Sequence, residues 1–146
     1  MKQPIWYRRP SLAELNQPTP TMNAQLGIEF IEVGDDYLKA KMPVDHRTHQ
    51  PMGLLHGGAS VTLAETLGST GAFLVVDSSK HNVVGLEINA NHIRSVRAGF
   101  VIGTAQPLHI GRTTHIWEIR ITDEADKLVA ISRITIAILN KNPVDA

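Results

Sequence analysis

From Ala59 to Val76 the chain carries one formal charge, Glu65, among Ala, Ser, Val, Thr, Leu, Gly and Phe. The run is too long for an ordinary strand, and small and apolar residues occupy nearly all its sides. It therefore reads as a buried helix from about Gly57 to Val76, wrapped by other elements. Its polar side chains nevertheless gather. Thr62, Glu65, Thr66, Ser69 and Thr70 recur at spacings of three and four, which places them in one stripe along one side. A carboxylate in such surroundings is costly unless it has a partner or a task.

The rest of the chain supplies what would wrap that helix. Ser11 and Glu14 have the spacing of a capping box, so a short helix is expected over about Leu12 to Gln17, ended by Pro18 and Pro20. Gly27 to Val33 and Tyr37 to Pro43 flank Gly34-Asp35-Asp36 as a hairpin, with Leu38, Ala40 and Met42 on one face and Lys39 and Lys41 on the solvated one. A turn-rich loop fills Val44 to Leu55. Beyond the helix, a loop at Asp77 to His81 precedes four strand-like stretches: Asn82 to Val96, Gly99 to His109, Thr113 to Thr122 and Lys127 to Leu139. In the last, Leu128, Ala130, Ser132, Ile134, Ile136 and Ile138 keep a period close to two. In the first, Val84, Leu86, Ile88 and Ala90 form an apolar face that turns basic at His92 and Arg94, beside Ser95 and Arg97. The predicted class is α+β, an antiparallel sheet wrapped around a long central helix. Residues 1–25 read as an N-terminal arm with a short helix and 26–146 as the domain.

Bulk properties remove several function classes. The 146 residues suit one domain, and 14 basic against 14 acidic residues leave no global attraction to nucleic acid or an anionic membrane. Neither partner is expected. The absence of cysteine excludes disulfides, thiolate catalysis and Cys-based zinc sites. Basic residues near the N-terminus have no apolar run behind them, so no signal peptide or membrane anchor is expected and the cytoplasm is the default.

The chemistry-bearing residues cluster at the entry to the helix. His56-Gly57-Gly58 lies where backbone N–H groups point outward with partial positive charge, suited to a carbonyl oxygen becoming an oxyanion. Gln50 and His56 would donate to the same carbonyl or position a water, or else pin the loop. A metal reading of His46, His49 and His56 would need Asp45 or Glu65 to complete the shell, and the spacing matches no zincin pattern, so no metal is expected. Nucleophile-elbow, phosphate-loop and dinucleotide glycine motifs are absent. The basic strand end at His92 and Arg94 would suit a ligand with phosphates at one end and an apolar or aromatic group at the other.

Gln50-Pro51-Met52-Gly53-Leu54-Leu55-His56-Gly57-Gly58-Ala59, Leu63-Ala64-Glu65-Thr66-Leu67-Gly68-Ser69 and Val84-Gly85-Leu86-Glu87-Ile88-Asn89-Ala90-Asn91-His92 together resemble the hotdog-fold acyl-CoA thioesterases. Within them the sequence is most similar to the branch of dihydroxynaphthoyl-CoA hydrolases and the enterobactin-pathway proofreading thioesterase. The resemblance runs from about Leu26 to Leu139. It implies Glu65 as catalytic carboxylate, acting as base or nucleophile, with Gln50, His56, the Gly57 N–H and Ser69 completing the catalytic set. It places CoA contacts at His92, Arg94 and Ser95, with His109 and Arg112 as further positions. It also implies dimers, usually packed as tetramers, in which Glu65 of one subunit faces His56 and Gln50 of its neighbour. No cofactor is implied, since CoA is part of the substrate. The expected reaction is hydrolysis of an acyl-CoA, an aroyl-CoA such as dihydroxynaphthoyl-CoA or another. An acyl-thioester hydratase or dehydratase of the same fold, or a non-catalytic acyl-CoA-binding module, are the alternatives. Residues before about Thr21 match nothing in the family, leaving Trp6, Tyr7, Arg8 and Arg9 no expected role beyond packing at an oligomer edge. Thr70 to Val76 and Asp77 to His81 also resemble the branch less.

Overall fold

A computed structural model describes residues 3–141, and it opens with two short helices, α1 (Leu12–Leu15) and α2 (Met22–Leu26). The expected capping box is present on α1: Ser11 Oγ accepts from the Glu14 N–H at 3.2 Å and the Glu14 carboxylate accepts from the Ser11 N–H at 2.8 Å. Helix α2 was not anticipated. Thr21 caps it by accepting from the Ala24 N–H, and Gly27 ends it in the left-handed region at φ 69°. Five residues are too few for a helical hydrophobic period to show.

The expected hairpin follows as β1 (Glu29–Val33) and β2 (Leu38–Pro43), its outer face closed by Lys39–Glu32 and Lys41–Glu29 pairs at 2.8 and 3.1 Å. Then come α3 (Gly57–Val75), β3 (His81–His92), β4 (Phe100–Ile110), β5 (Thr114–Asp123) and β6 (Leu128–Asn140). All strands join one antiparallel sheet in the order β1-β2-β4-β5-β6-β3, so β1 and β3 are its edges. Helix α3 packs on β2, β4, β5, β6 and β3. It approaches closely because it offers glycines: a Cβ at Gly68 would lie 2.5 Å from Ile134 Cγ2, and one at Gly71 would lie 2.8 Å from the Trp117 ring. The inward row of β6 is as its alternation predicts, with Ala130, Ser132, Ile134, Ile136 and Ile138 buried.

Three expectations need correction. A single sheet has one inner face, so α3 is covered on one side only: Leu63, Ala64, Leu67 and Ala72 are buried, whereas Val61, Thr62, Glu65, Thr66, Ser69 and Thr70 are half-open and Phe73 is exposed. The polar stripe thus lies on the side the chain itself leaves uncovered. Second, the β3 face does not run through Val84, Leu86, Ile88 and Ala90, because the β3–β6 register shifts between Gly85 and Glu87. The bulge reverses the alternation. Val83 packs on the core before it and Ile88 after it, while Val84 and Leu86 stand 46% and 64% exposed. The ladder also ends at His92, so Arg94 and Ser95 lie on an exit segment whose Ile93 and Arg94 N–H groups donate to the Val129 carbonyl. Third, Trp6 belongs to the chain's own core. It stacks on Trp117 with ring centroids 6.3 Å apart, and its Nε1–H donates to the Gly34 carbonyl at 2.7 Å.

Candidate active site

Three hydrogen bonds tie the loop before α3 to itself and to its neighbours. Thr48 Oγ1 donates to the Pro43 carbonyl at 2.8 Å, the His56 N–H to Thr48 O at 2.8 Å, and the Leu55 N–H to Val96 O at 2.8 Å. Between these ties, Gln50 to Gly53 make a tight turn that needs Gly53 at φ 72°. The Gln50 side-chain oxygen accepts from the Met52 N–H. That bond fixes which way the amide faces, leaving its NH2 without an acceptor among the described residues.

His56 is the N-cap of α3. Its Nδ1 accepts from the Gly58 N–H at 2.8 Å, which assigns the ring proton of the neutral imidazole to Nε2. The Ala59 and Ser60 N–H groups turn back to the His56 carbonyl. Gly57 is left as the one residue of this first turn whose N–H has no acceptor among the described residues. It opens into a cavity of about 330 Å³ that Gln50, Ser60, His92, Arg94 and Ser95 also line. His92 lies directly over it, since a Cβ at Gly57 would meet His92 Nε2 at 2.8 Å. Arg94 is exposed and forms no ion pair among the described residues, so its guanidinium is available to an anionic group at the cavity mouth.

Glu65 lies elsewhere on the same helix. Ser69 Oγ, one turn on, donates to Glu65 Oε1 at 3.2 Å. Strand β3 passes so close that a Cβ at Gly85 would sit 2.8 Å from Glu65 Oε1, a contact invisible in the sequence because it depends on the β3 bulge. The carboxylate faces a second cavity, also about 330 Å³, with Met22, Asn23, Val61, Thr62, Thr66 and Ser69. His56 lines a third, with Arg47, His49 and Thr62.

The structure therefore gathers Gln50, Gly57, His92, Arg94 and Ser95, and separately Glu65 with Ser69. It does not bring His109 and Arg112 to either group: they sit by the β4–β5 turn, whose Thr113 carbonyl accepts from Ile138 N–H, whereas His92 pairs with Ala130 at the other end of β6. The histidines weighed as metal ligands have other surroundings, although His49 and His56 line one cavity. His46 is exposed beside Asp45, His49 bonds the Arg97 carbonyl and His56 caps α3; among the described residues no three metal-ligating side chains cluster. His115 is buried in β5, and desolvation lowers its pKa from 6.5, with His109 adding to the effect and the Gly111 backbone opposing it. It is a neutral core residue, remote from both groups.

A sheet curled around one long helix is the hotdog fold, and an unspent N–H donor with a helix-borne carboxylate supplies the parts of an acyl-transfer site. The comparisons agree with that class. The thioesterase superfamily matches residues 52–130. The 1,4-dihydroxy-2-naphthoyl-CoA hydrolase of Escherichia coli is 52% identical over 92% of this chain and 99% of its own length. A Pseudomonas aeruginosa thioesterase, crystallised as a glutamine-to-alanine mutant, superposes with a TM-score of 0.92 at 48% identity, covering 94% of this chain and 99% of that one. A Haemophilus influenzae thioesterase gives 0.90 at 46% identity, covering 93% and 95%. The chain belongs to the thioesterase superfamily and is a thioester hydrolase. No helix among the described residues is long and apolar enough to cross a membrane.

Proposed function

We propose that the chain hydrolyses an acyl-CoA to the free acid and CoA, acting on an aroyl group such as dihydroxynaphthoyl, as a cytoplasmic homo-oligomer. The observation that carries this reading is the unspent Gly57 N–H at the head of α3, opening into a cavity that holds the free Gln50 amide and ends at unpaired Arg94. The thioester carbonyl accepts from the Gly57 N–H and the Gln50 NH2, with His56 Nε2–H nearby on the same turn. Arg94, His92 and Ser95 take the phosphate-bearing end of CoA. Glu65, held by Ser69, removes a proton from water, and the resulting hydroxide adds to the carbonyl carbon. The C–S bond then breaks and the proton passes to the departing thiolate. Direct attack by the carboxylate to give a mixed anhydride, opened by water, uses the same contacts.

Within one chain the two halves open into separate cavities. About 12 Å of helix axis lies between Gly57 and Glu65, whereas a donor and an attacking group must each come within about 3–3.5 Å of the same carbonyl. A second copy resolves this. Strand β3 is a long open edge with exposed Val84 and Leu86, a template that soluble proteins rarely leave unpaired. Antiparallel pairing of β3 with its copy covers the open side of α3 and carries Glu65 toward the partner's loop. Two such dimers pack as a tetramer.

The test is thiol release, followed with a disulfide dye, across aroyl-, short-chain and long-chain acyl-CoA substrates. Wild-type protein is expected to turn over aroyl-CoA best, and Glu65→Gln to lose about 10²–10⁴-fold in kcat. A Glu65→Gln protein as fast as wild type would remove the assignment.

A further inference from the structure

Helix α2 carries a side chain that thioester hydrolysis as described does not use. Asn23 is half-buried and lines the Glu65 cavity. Its Oδ1 lies 2.8 Å from Thr66 Oγ1, and that hydroxyl is also 2.8 Å from the Thr62 carbonyl. A hydroxyl has one proton to give. If it goes to Asn23, both Nδ2–H donors remain unspent; if it goes to Thr62, the amide turns to donate one N–H to Thr66, and Oδ1 and the second Nδ2–H are unspent. In either state Asn23 is held in place by Thr66 while keeping hydrogen-bonding capacity that none of the described residues consumes.

The other walls of this cavity offer little besides carbon. Met22 and Val61 are apolar, Thr62 donates its hydroxyl to the Gly58 carbonyl at 2.9 Å, and Ser69 is committed to Glu65. Among the described residues Asn23 is thus the one side chain of the cavity with an uncommitted amide, whereas the Thr62 and Ser69 hydroxyls have given their protons and can only accept. A site with such a group rejects an occupant that leaves it unpaired, because desolvating an amide without a partner costs more than a hydrogen bond returns.

We propose that Asn23 is a specificity-determining residue that selects acyl groups bearing a hydroxyl over their plain hydrocarbon counterparts. This rests on the reading of Glu65 as the group that acts on the thioester, which lays the acyl moiety along its cavity. Met22, 63% exposed at the cavity rim, offers the acyl group an apolar contact and no polar one.

The experiment compares kcat/KM for 2-, 3- and 4-hydroxybenzoyl-CoA with that for benzoyl-CoA in full-length wild type and in Asn23→Leu, a change of similar shape without the amide. The preferred hydroxylated isomer should lead benzoyl-CoA in wild type, and that ratio should fall about tenfold in Asn23→Leu, the equivalent of one net hydrogen bond. Thr66→Val, which keeps Asn23 but releases it, should lower the ratio part of the way. It reads the same quantity if Asn23→Leu does not fold. A ratio unchanged for all three isomers, whether or not the rates themselves drop, overturns the proposal. Glu65→Gln assayed on the same substrates separates the two failures. If it is inactive while the ratio survives Asn23→Leu, the selectivity assignment alone falls; if it keeps turnover, the underlying reading falls first.

Discussion

His56 shows how one side chain decides what its neighbours can do. Because Nδ1 accepts from the Gly58 N–H, the cap spends the second amide of the turn and leaves the first, Gly57, for a ligand. Capping and chemistry can be separated by substitution. His56→Ala should cost about 1 kcal/mol of stability through the lost cap, together with about 10²-fold in kcat through the disturbed donor turn. His56→Asn keeps a capping acceptor and should recover the melting temperature without recovering the rate. Thermal melts and thiol-release assays on the two variants check this; an Asn variant with wild-type turnover would reduce His56 to a cap. At this scale Glu65, Gln50 and Gly57 stand out in the sequence as candidates because each breaks its local pattern: a charge in an uncharged run, an amide in a turn, a glycine pair at a helix start. Asn23 does not, since its meaning comes from Thr66, far along the chain, and nothing around it in sequence announces α2.

At the scale of elements, periodicity located the central helix and the strands to within a few residues, because each is long enough to show its repeat. It failed at β3. A bulge adds one residue to an alternation, and no composition rule marks where it falls. Its placement has a consequence for chemistry, because it lets Gly85 pass against Glu65. Replacing Gly85 with Ala puts a Cβ 2.8 Å from Glu65 Oε1, which the carboxylate must yield to. A misplacement of about 1 Å at a reacting group costs about 10²-fold. Gly85→Ala is therefore expected to lower kcat by that order while the protein remains folded, since Gly85 is exposed and alanine is no worse than glycine in a strand. Circular dichroism beside steady-state kinetics measures both. Wild-type kcat in this variant would mean that the position of the carboxylate is not under tight control. The wrapping of the helix was overestimated for a related reason: an apolar, small-residue surface says that a helix is covered, not whether its own chain does the covering.

At the scale of the whole molecule, the open side of α3, the unpaired β3 edge and the distance between the two half-sites are one fact seen three ways. Each disappears if a second copy pairs along β3, and the pairing has an arithmetic signature. A Glu65→Gln chain keeps its Gln50, His56 and Gly57 loop; a Gln50→Ala/His56→Ala chain keeps its Glu65. If the site is shared between two copies, each variant alone should form dimers with no intact site. Co-expressed with different affinity tags, half of the dimers are mixed, and each mixed dimer holds one site in which both halves are wild type and one in which both are altered. Activity should therefore return to about a quarter of wild type in the unfractionated mixture, and to only slightly more in the doubly tagged fraction, because doubly tagged tetramers also include pairs of unmixed dimers. A site built within one chain predicts the opposite, no recovery in any fraction. Recovery must also track dimer exchange, so that separately purified variants regain activity only after conditions that part and re-form β3 contacts. Polar substitution of Leu86, 64% exposed on that edge, is expected to weaken the dimer and reduce turnover together, read by sedimentation and thiol release on the same sample.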